Sequence, residues 1–228
     1  MFERPHHQRI ARLLSMLDAS LLHDAECYFA GGTAIALQLG EYRESVDVDF
    51  LCGSTAGYRL LREAVFSRDF AALVSAPVKT LRPLRTDQYG LRTFVEIDGV
   101  PIKFEIVREA RIELAGAPSP QFTVPLLSRD DLFAEKLLAN VDRVNDRGTF
   151  NRDAIDLGMM LEAWGPVPSA SLQKAEAAYG PVVRTAVAEA ERRLSEPEWL
   201  AQCLSALSMS PEQGARAMAA LRSWLALP

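Results

Sequence analysis

Two aspartates separated by one residue are the first candidate for chemistry in this sequence. Asp47 and Asp49 lie in residues 45–50, where apolar and acidic residues alternate as they do in a half-buried β-strand. Because successive side chains of a strand point to opposite faces, both carboxylates are expected on one face and Val46 on the other, in the core. Mg²⁺ prefers carboxylate oxygens together with substrate phosphates. The pair therefore predicts a site for a metal-bound nucleotide, although an isolated acidic strand face that only meets water is the alternative.

A third acid, Glu105, lies in a largely apolar segment, residues 102–107, on the same face as Lys103 and Val107. If this strand lies beside the acidic one, Glu105 completes a cluster of three carboxylates. Such a cluster could hold two divalent ions, which stabilise the attacking and leaving oxygens of an in-line displacement. A glutamate on an edge strand that faces water is the alternative interpretation.

A glycine turn precedes the acidic strand. Gly31, Gly32 and Thr33 follow a short apolar run and precede a helical pattern, which predicts a strand-to-helix junction. Glycine lets the backbone approach a phosphate closely, and the helix N-terminus offers free N–H groups and a positive dipole end. Thr33 could add a hydroxyl contact, whereas a plain tight turn capped by threonine is the alternative.

The elements that must position these residues follow from periodicity. Before residue 125 short strands alternate with helices, and after it nearly every segment has helical spacing. The Asp98-Gly99 pair between two apolar runs predicts a β-hairpin. The proline-rich residues 117–120 are the expected boundary between a domain at 1–120 and a helical domain at 121–228. The predicted helices cover residues 7–23, 34–39, 58–66, 151–163, 169–178, 181–194, 197–208 and 211–226, with one more starting at Ser128; the predicted strands cover 27–30, 46–51, 91–97 and 100–107.

Composition excludes several classes of protein. The net charge of −5 disfavours a protein that coats nucleic acid with its whole surface, so any such contact must be local. Three isolated cysteines make a zinc site or a disulfide framework improbable. No signal peptide or membrane span is apparent, which predicts a soluble cytoplasmic protein. His6 and His7, near a terminus, are expected to be disordered or at the surface.

Two blocks of sequence resemble a known family. Residues 28–34 (YFAGGTA) and 43–50 (RESVDVDF) are similar to the G-G-T-A and R-x-S-x-D-x-D-F segments of the AbiEii/AbiGii-type toxins, within the polymerase-β-like nucleotidyltransferase superfamily. Residues 132–137 (LFAEKL) and 152–157 (RDAIDL) resemble the family's lysine-bearing helix and its downstream aspartate segment. The resemblance covers roughly residues 28 to 157.

The resemblance implies an α/β (α+β) fold, with a polymerase-β-like nucleotidyltransferase core on a mixed sheet followed by a helical C-terminal region. It implies an Mg²⁺-dependent enzyme, with a two-metal site possible, that transfers a nucleoside monophosphate from a nucleoside triphosphate to a hydroxyl. Lys136 would act as a phosphate-binding catalytic residue. The family often has aspartate at the third acidic position, where this chain has Glu105. Arg43 would support the acidic strand or the triphosphate, and Asp153 or Asp156 would orient Lys136 or reach the base or acceptor. The implied metal ligands are Asp47, Asp49 and Glu105; the implied nucleotide-binding residues are Gly31, Gly32, Thr33, Arg43, Ser45, Lys136, Asp153 and Asp156.

The implied partners are an RNA acceptor, tRNA in particular, and a cognate antitoxin, with no membrane. Two other functions stay open at this point. One is a non-catalytic module that uses the same fold for binding. The other is an enzyme that nucleotidylates or phosphorylates a protein.

Overall fold

Two units make up the chain, whose structure is a computed structural model that describes residues 2–227. The first unit comprises Met1–Ala34 and Ser45–Ser128, and the second comprises Ile35–Glu44 and Arg129–Pro228. The proline-rich residues 117–120 therefore lie inside the first unit, which continues to Ser128. No helix within residues 2–227 has both the length and the apolar character required to cross a membrane.

One mixed sheet organises the first unit. The strands are β1 (Cys27–Ala30), β2 (Val48–Cys52), β3 (Lys79–Thr80), β4 (Arg85–Thr86), β5 (Gly90–Ile97), β6 (Val100–Arg108), β7 (Gly116–Pro118) and β8 (Pro125–Leu127). Their order in the sheet is β3-β5-β6-β2-β1-β8-β7, and β4 also pairs with β5. Strand β2 is antiparallel to β1 and parallel to β6, while β1 is parallel to β8.

Helices supply the rest of the regular structure. The single helix expected at residues 7–23 is two helices, because Leu17 is extended and Asp18 accepts the Leu21 N–H as an N-cap. Pro197 and Pro211 begin helices, where a missing N–H is tolerated. The helices are α1 (Pro5–Met16), α2 (Ala19–Asp24), α3 (Gly31–Gln38), α4 (Thr55–Arg68), α5 (Arg129–Arg143), α6 (Arg152–Trp164), α7 (Ser169–Tyr179), α8 (Val182–Leu194), α9 (Pro197–Ala206) and α10 (Pro211–Leu225).

The two faces of the sheet differ in chemistry. On one face Phe29, Phe50 and Phe104 form a buried row across β1, β2 and β6, with neighbouring ring centroids 5.6 and 5.8 Å apart. The other face carries half-buried side chains that alternate with this row, many of them charged, and is called the polar face: Asp49, Arg92, Glu96, Lys103 and Glu105 lie on it. A sheet with one packed face and one polar face leaves the polar face for function.

The β5–β6 hairpin has the tight turn that its sequence predicts. Ile97 pairs with Val100 across Asp98 and Gly99, whose φ angles are 51° and 75°. Positive φ at both positions is what a two-residue type I′ turn requires. The turn fixes the register of the hairpin and therefore sets which side chains face each other on the polar face.

The acidic strand begins later than expected. β2 starts at Val48, so Asp47 precedes the strand and only Asp49 lies within it. Val46, expected in the core, is 50% exposed. In the second unit, α6 packs against α5 and α10, and its residues from Asp153 to Leu161 are buried.

Candidate active site

The glycine turn lies directly against the carboxylate of Asp49. Ala30, the last residue of β1, pairs with Asp49 of β2, and Gly31 begins α3 immediately afterwards. Gly31 has φ +73°, and a Cβ at this position would lie 3.0 Å from Asp49 Oδ2. Glycine is therefore needed both for the backbone conformation and for the close approach. The first turn of α3 beside this carboxylate offers N–H groups suited to binding an anion.

The segment that carries Asp47 is held by two hydroxyl groups, one of them buried. The Thr33 Oγ1 donates a hydrogen bond to the Asp47 carbonyl oxygen at 2.5 Å and lies 2.7 Å from the Ser45 Oγ. Thr33 is buried, so its hydroxyl fixes the chain before β2. A phosphate contact at this turn would therefore come from backbone N–H groups.

Two histidines of α1 hold the same segment, which the sequence interpretation missed. The Ser45 N–H donates to His7 Nε2 at 3.0 Å, and His6 Nε2 lies 2.9 Å from the Val46 carbonyl oxygen. His7 is fully buried, so its expected place at the surface is wrong. Its position three residues before Ile10, on the apolar side of α1, was the available signal.

Glu105 lies beside Asp49, as expected, but two cations hold it. The two acids are register partners on the parallel strands β2 and β6. Arg92 Nε lies 2.5 Å from Glu105 Oε1, and Lys103 Nζ lies 2.6 Å from Oε2. Burial raises the pKa of Glu105, but the hydrogen bonds from Lys103 and Arg92 outweigh burial and leave this pKa below its usual value.

Arg92 was also missed by the sequence interpretation, although the hairpin contained the signal. Once Ile97 pairs with Val100, counting back along both strands brings Arg92 opposite Glu105. Cross-strand partners on one face of a sheet lie close enough to form an ion pair. Arg92 also donates to Asp87 at 3.1 Å, which fixes its guanidinium between two acids.

A divalent ion fits part of the predicted ligand set. Within residues 2–227 no group of three His, Cys, Asp or Glu side chains is placed to hold a metal ion, so the expected cluster of three carboxylates is not formed. Asp49 against the Gly31 cradle, with Asp47 two residues earlier, supplies the one or two carboxylates that Mg²⁺ usually takes beside substrate phosphates. Glu105 does not fit as a third ligand, because both of its oxygens are bound by cations.

The remaining predicted residues form a buried ion cluster in the second unit. Lys136 of α5 lies 2.9 Å from Asp153 and 2.7 Å from Asp156, which are three residues apart on α6. Arg43 binds both oxygens of Asp156, with its Nε at 2.6 Å and its Nη2 at 2.9 Å. Two further members were not predicted from the sequence: Tyr42, whose hydroxyl donates to Asp156, and Arg143, which donates to both oxygens of Asp153.

The buried ion cluster has one excess positive charge, since three cations meet two carboxylates. Burial raises the pKa of Asp156, but Arg43 and then Lys136 outweigh burial and keep this pKa below its usual value. Asp153 behaves in the same way: burial raises its pKa, and Lys136 and Arg143 lower it further than burial raises it. Lys136 is itself buried and directs two of its three N–H donors to aspartates.

The chain is similar to a known family in sequence and to solved structures in fold. The chain matches the family model described as "Nucleotidyl transferase AbiEii toxin, Type IV TA system" over residues 12–224. No curated protein matches the chain. A protein from H. pylori, described as a candidate nucleotidyltransferase, has a TM-score of 0.52 at 15% identity, covering 96% of this chain and 93% of its own. JHP933 from Helicobacter pylori has a TM-score of 0.52 at 14% identity, covering 99% and 94%. At such identities the structural likeness establishes the fold alone.

Proposed function

Because the chain belongs to the nucleotidyl transferase AbiEii toxin family of type IV toxin–antitoxin systems, we propose that it transfers a nucleoside monophosphate from a nucleoside triphosphate to a hydroxyl group. The acceptor oxygen forms a bond to the α-phosphorus, and the bond from that phosphorus to the oxygen bridging to the β-phosphate breaks. Pyrophosphate leaves, and the hydroxyl proton passes to solvent. Family membership and fold support a transferase; the donor, the acceptor and the metal dependence are parts of the proposal.

The observation that carries the proposal is the contact between the glycine turn and the acidic segment. Gly31 brings the first turn of α3 against Asp49, so the N–H groups proposed to bind phosphate adjoin the carboxylate proposed to bind the metal ion. A bound divalent ion would neutralise charge on the phosphate oxygens. Asp47 and Asp49 would hold that ion, while Gly32 and Thr33 would donate backbone N–H groups to the phosphates.

Much of the remaining machinery would position these groups. Thr33 and Ser45 hold the main chain at Asp47, and His7 holds Ser45. Catalysis would then consist of fixing the reactants in line and stabilising charge, which needs little side-chain chemistry.

We propose that Lys136 binds a phosphate oxygen through the N–H donor that its two aspartates leave. Arg43, Asp153 and Asp156 would then set the position of its ammonium group rather than contact the nucleotide. We do not assign direct nucleotide binding to these three residues, because their charged groups are bound to one another or to Lys136.

RNA, tRNA in particular, is the proposed acceptor, and a cognate antitoxin is the proposed partner. With a net charge of −5, the chain would need a local basic surface to bind RNA. The exposed side chains of Lys79, Arg82 and Arg85 in the first unit offer one such surface.

A labelling experiment separates the proposed function from its alternatives. Purified protein is incubated with each α-³²P-labelled nucleoside triphosphate, Mg²⁺ and a cell extract, and the RNA and protein fractions are counted. Label in RNA supports the proposal, label in protein supports a protein-modifying enzyme, and label in neither supports a non-catalytic module. Asp49→Asn should abolish incorporation. The control Asp24→Asn removes an exposed carboxylate of the same type and should not change incorporation.

A further inference from the structure

We infer that this site binds one divalent ion with its nucleotide, through Asp47 and Asp49, and that Lys103 and Arg92 stand at Glu105 in place of a second ion. The inference rests on the proposed function and specifies the metal content of that same site. It departs from the two-ion arrangement that three neighbouring acids would otherwise predict.

The position of Glu105 is set by the sheet. Its Cα pairs with Asp49 across the parallel strands β2 and β6, so both side chains lie on the polar face. A carboxylate there would normally complete a metal site with its neighbour. Its availability as a ligand therefore depends on what else its oxygens bind.

Both oxygens of Glu105 are engaged by cations of the same face. Arg92 Nε donates to Oε1 at 2.5 Å and Lys103 Nζ donates to Oε2 at 2.6 Å, and both hydrogen bonds join opposite charges. The Glu105 side chain is only 14% exposed, so water competes weakly for these oxygens. A metal ion at Glu105 would have to displace a cation from each oxygen it used.

Lys103 also places a positive charge on the acidic face. It lies two residues before Glu105 on β6, on the same face. Its ammonium group, 2.6 Å from Glu105 Oε2, repels a second divalent ion at this position. Arg92, held between Glu105 and Asp87, adds a second fixed positive charge.

Counting bound ions tests the inference without measuring activity. Protein is saturated with Mn²⁺ and a nucleoside triphosphate analogue that has a methylene bridge between the α- and β-phosphorus atoms. The complex is desalted, and manganese per chain is measured by electron paramagnetic resonance after acid release. We expect one ion in the wild-type protein and one in Glu105→Gln. The control Glu96→Gln, an isosteric change at another lysine-paired acid of the polar face, should also bind one.

Removing the two cations tests whether they exclude the second ion. The double variant Lys103→Met with Arg92→Met frees Glu105, and we expect it to bind a second ion. Adding Glu105→Gln to the double variant should abolish binding of that second ion. A wild-type protein that binds two ions and loses one in Glu105→Gln would overturn the inference while leaving the proposed function standing. A double variant that still binds one ion would contradict the claim that the two cations exclude the second. A wild-type protein that retains no manganese with any of the analogues would overturn the proposed function, and the inference with it.

Discussion

Replacing Asp156 by asparagine should destabilise the second unit by about 3–5 kcal/mol, because it breaks a buried charge pair and leaves one partner uncompensated. Asp156 has no exposed surface and accepts hydrogen bonds from Tyr42, Arg43 and Lys136. Lys136 keeps Asp153 as a partner, whereas Arg43 loses the carboxylate that accepts hydrogen bonds from both its Nε and its Nη2. The cost is therefore expected from one stranded guanidinium rather than from the whole cluster.

Tryptophan fluorescence during urea unfolding measures this loss selectively. All three tryptophans, Trp164, Trp199 and Trp224, lie in the second unit. With a denaturant slope of about 2 kcal/mol per molar urea, a loss of 4 kcal/mol lowers the midpoint by about 2 M. The control Glu162→Gln breaks a more exposed ion pair with Arg216 from the same helix and should cost less than about 1 kcal/mol. A midpoint for Asp156→Asn that differs little from that of the control, at unchanged slope, would refute the reasoning.

Three further predictions concern positioning and pH. His7→Phe removes the acceptor of a half-buried N–H, so it should cost about 1 kcal/mol and weaken Mn²⁺–nucleotide binding in calorimetry; unchanged affinity would contradict its positioning role. Gly31→Ala and Gly40→Ala both force a side chain into φ +73°, but only the first meets Asp49, so only the first should lose nucleotide affinity, by about tenfold or more; an equal loss in both would be contrary to prediction. Because the pKa of Asp156 is below its unfolded value of about 4, its stabilising effect is present above that value and is lost as pH falls. Unfolding free energies should therefore fall more steeply below about pH 4 in the wild type than in Asp156→Asn, and equal slopes in urea titrations would argue otherwise.

Local patterns in the sequence predicted much of the fold. The Asp98-Gly99 turn and the strand at Cys27–Ala30 are formed as expected, because each depends on residues that are neighbours in sequence. The mixed sheet and the helical second half also agree with the prediction. The start of β2 was predicted two residues too early, because apolar and acidic residues already alternate before the first residue that pairs with a neighbouring strand.

The electrostatic partners were harder to predict. Arg43 and Asp156 are 113 residues apart, and only the folded second unit brings them together. The sequence predicted both as site residues through the family resemblance but gave no sign that each binds the other. Arg92 is a different case, since the hairpin register already placed it opposite Glu105. A candidate metal ligand on a hairpin should therefore be checked against its cross-strand partner before its charge is assigned to a metal.

The position of the label in the product tests the central claim most directly. Purified protein, Mg²⁺ and the acceptor RNA are incubated in parallel with the same nucleoside triphosphate labelled at the α- or at the γ-phosphorus. The proposed reaction joins the α-phosphorus to the acceptor and releases the γ-phosphorus in pyrophosphate. We predict acid-precipitable label from the α-labelled substrate alone, lost in Asp49→Asn and retained in Asp24→Asn. Label from the γ-position, or equal incorporation by Asp49→Asn, would contradict nucleotidyl transfer at the Asp47–Asp49 site.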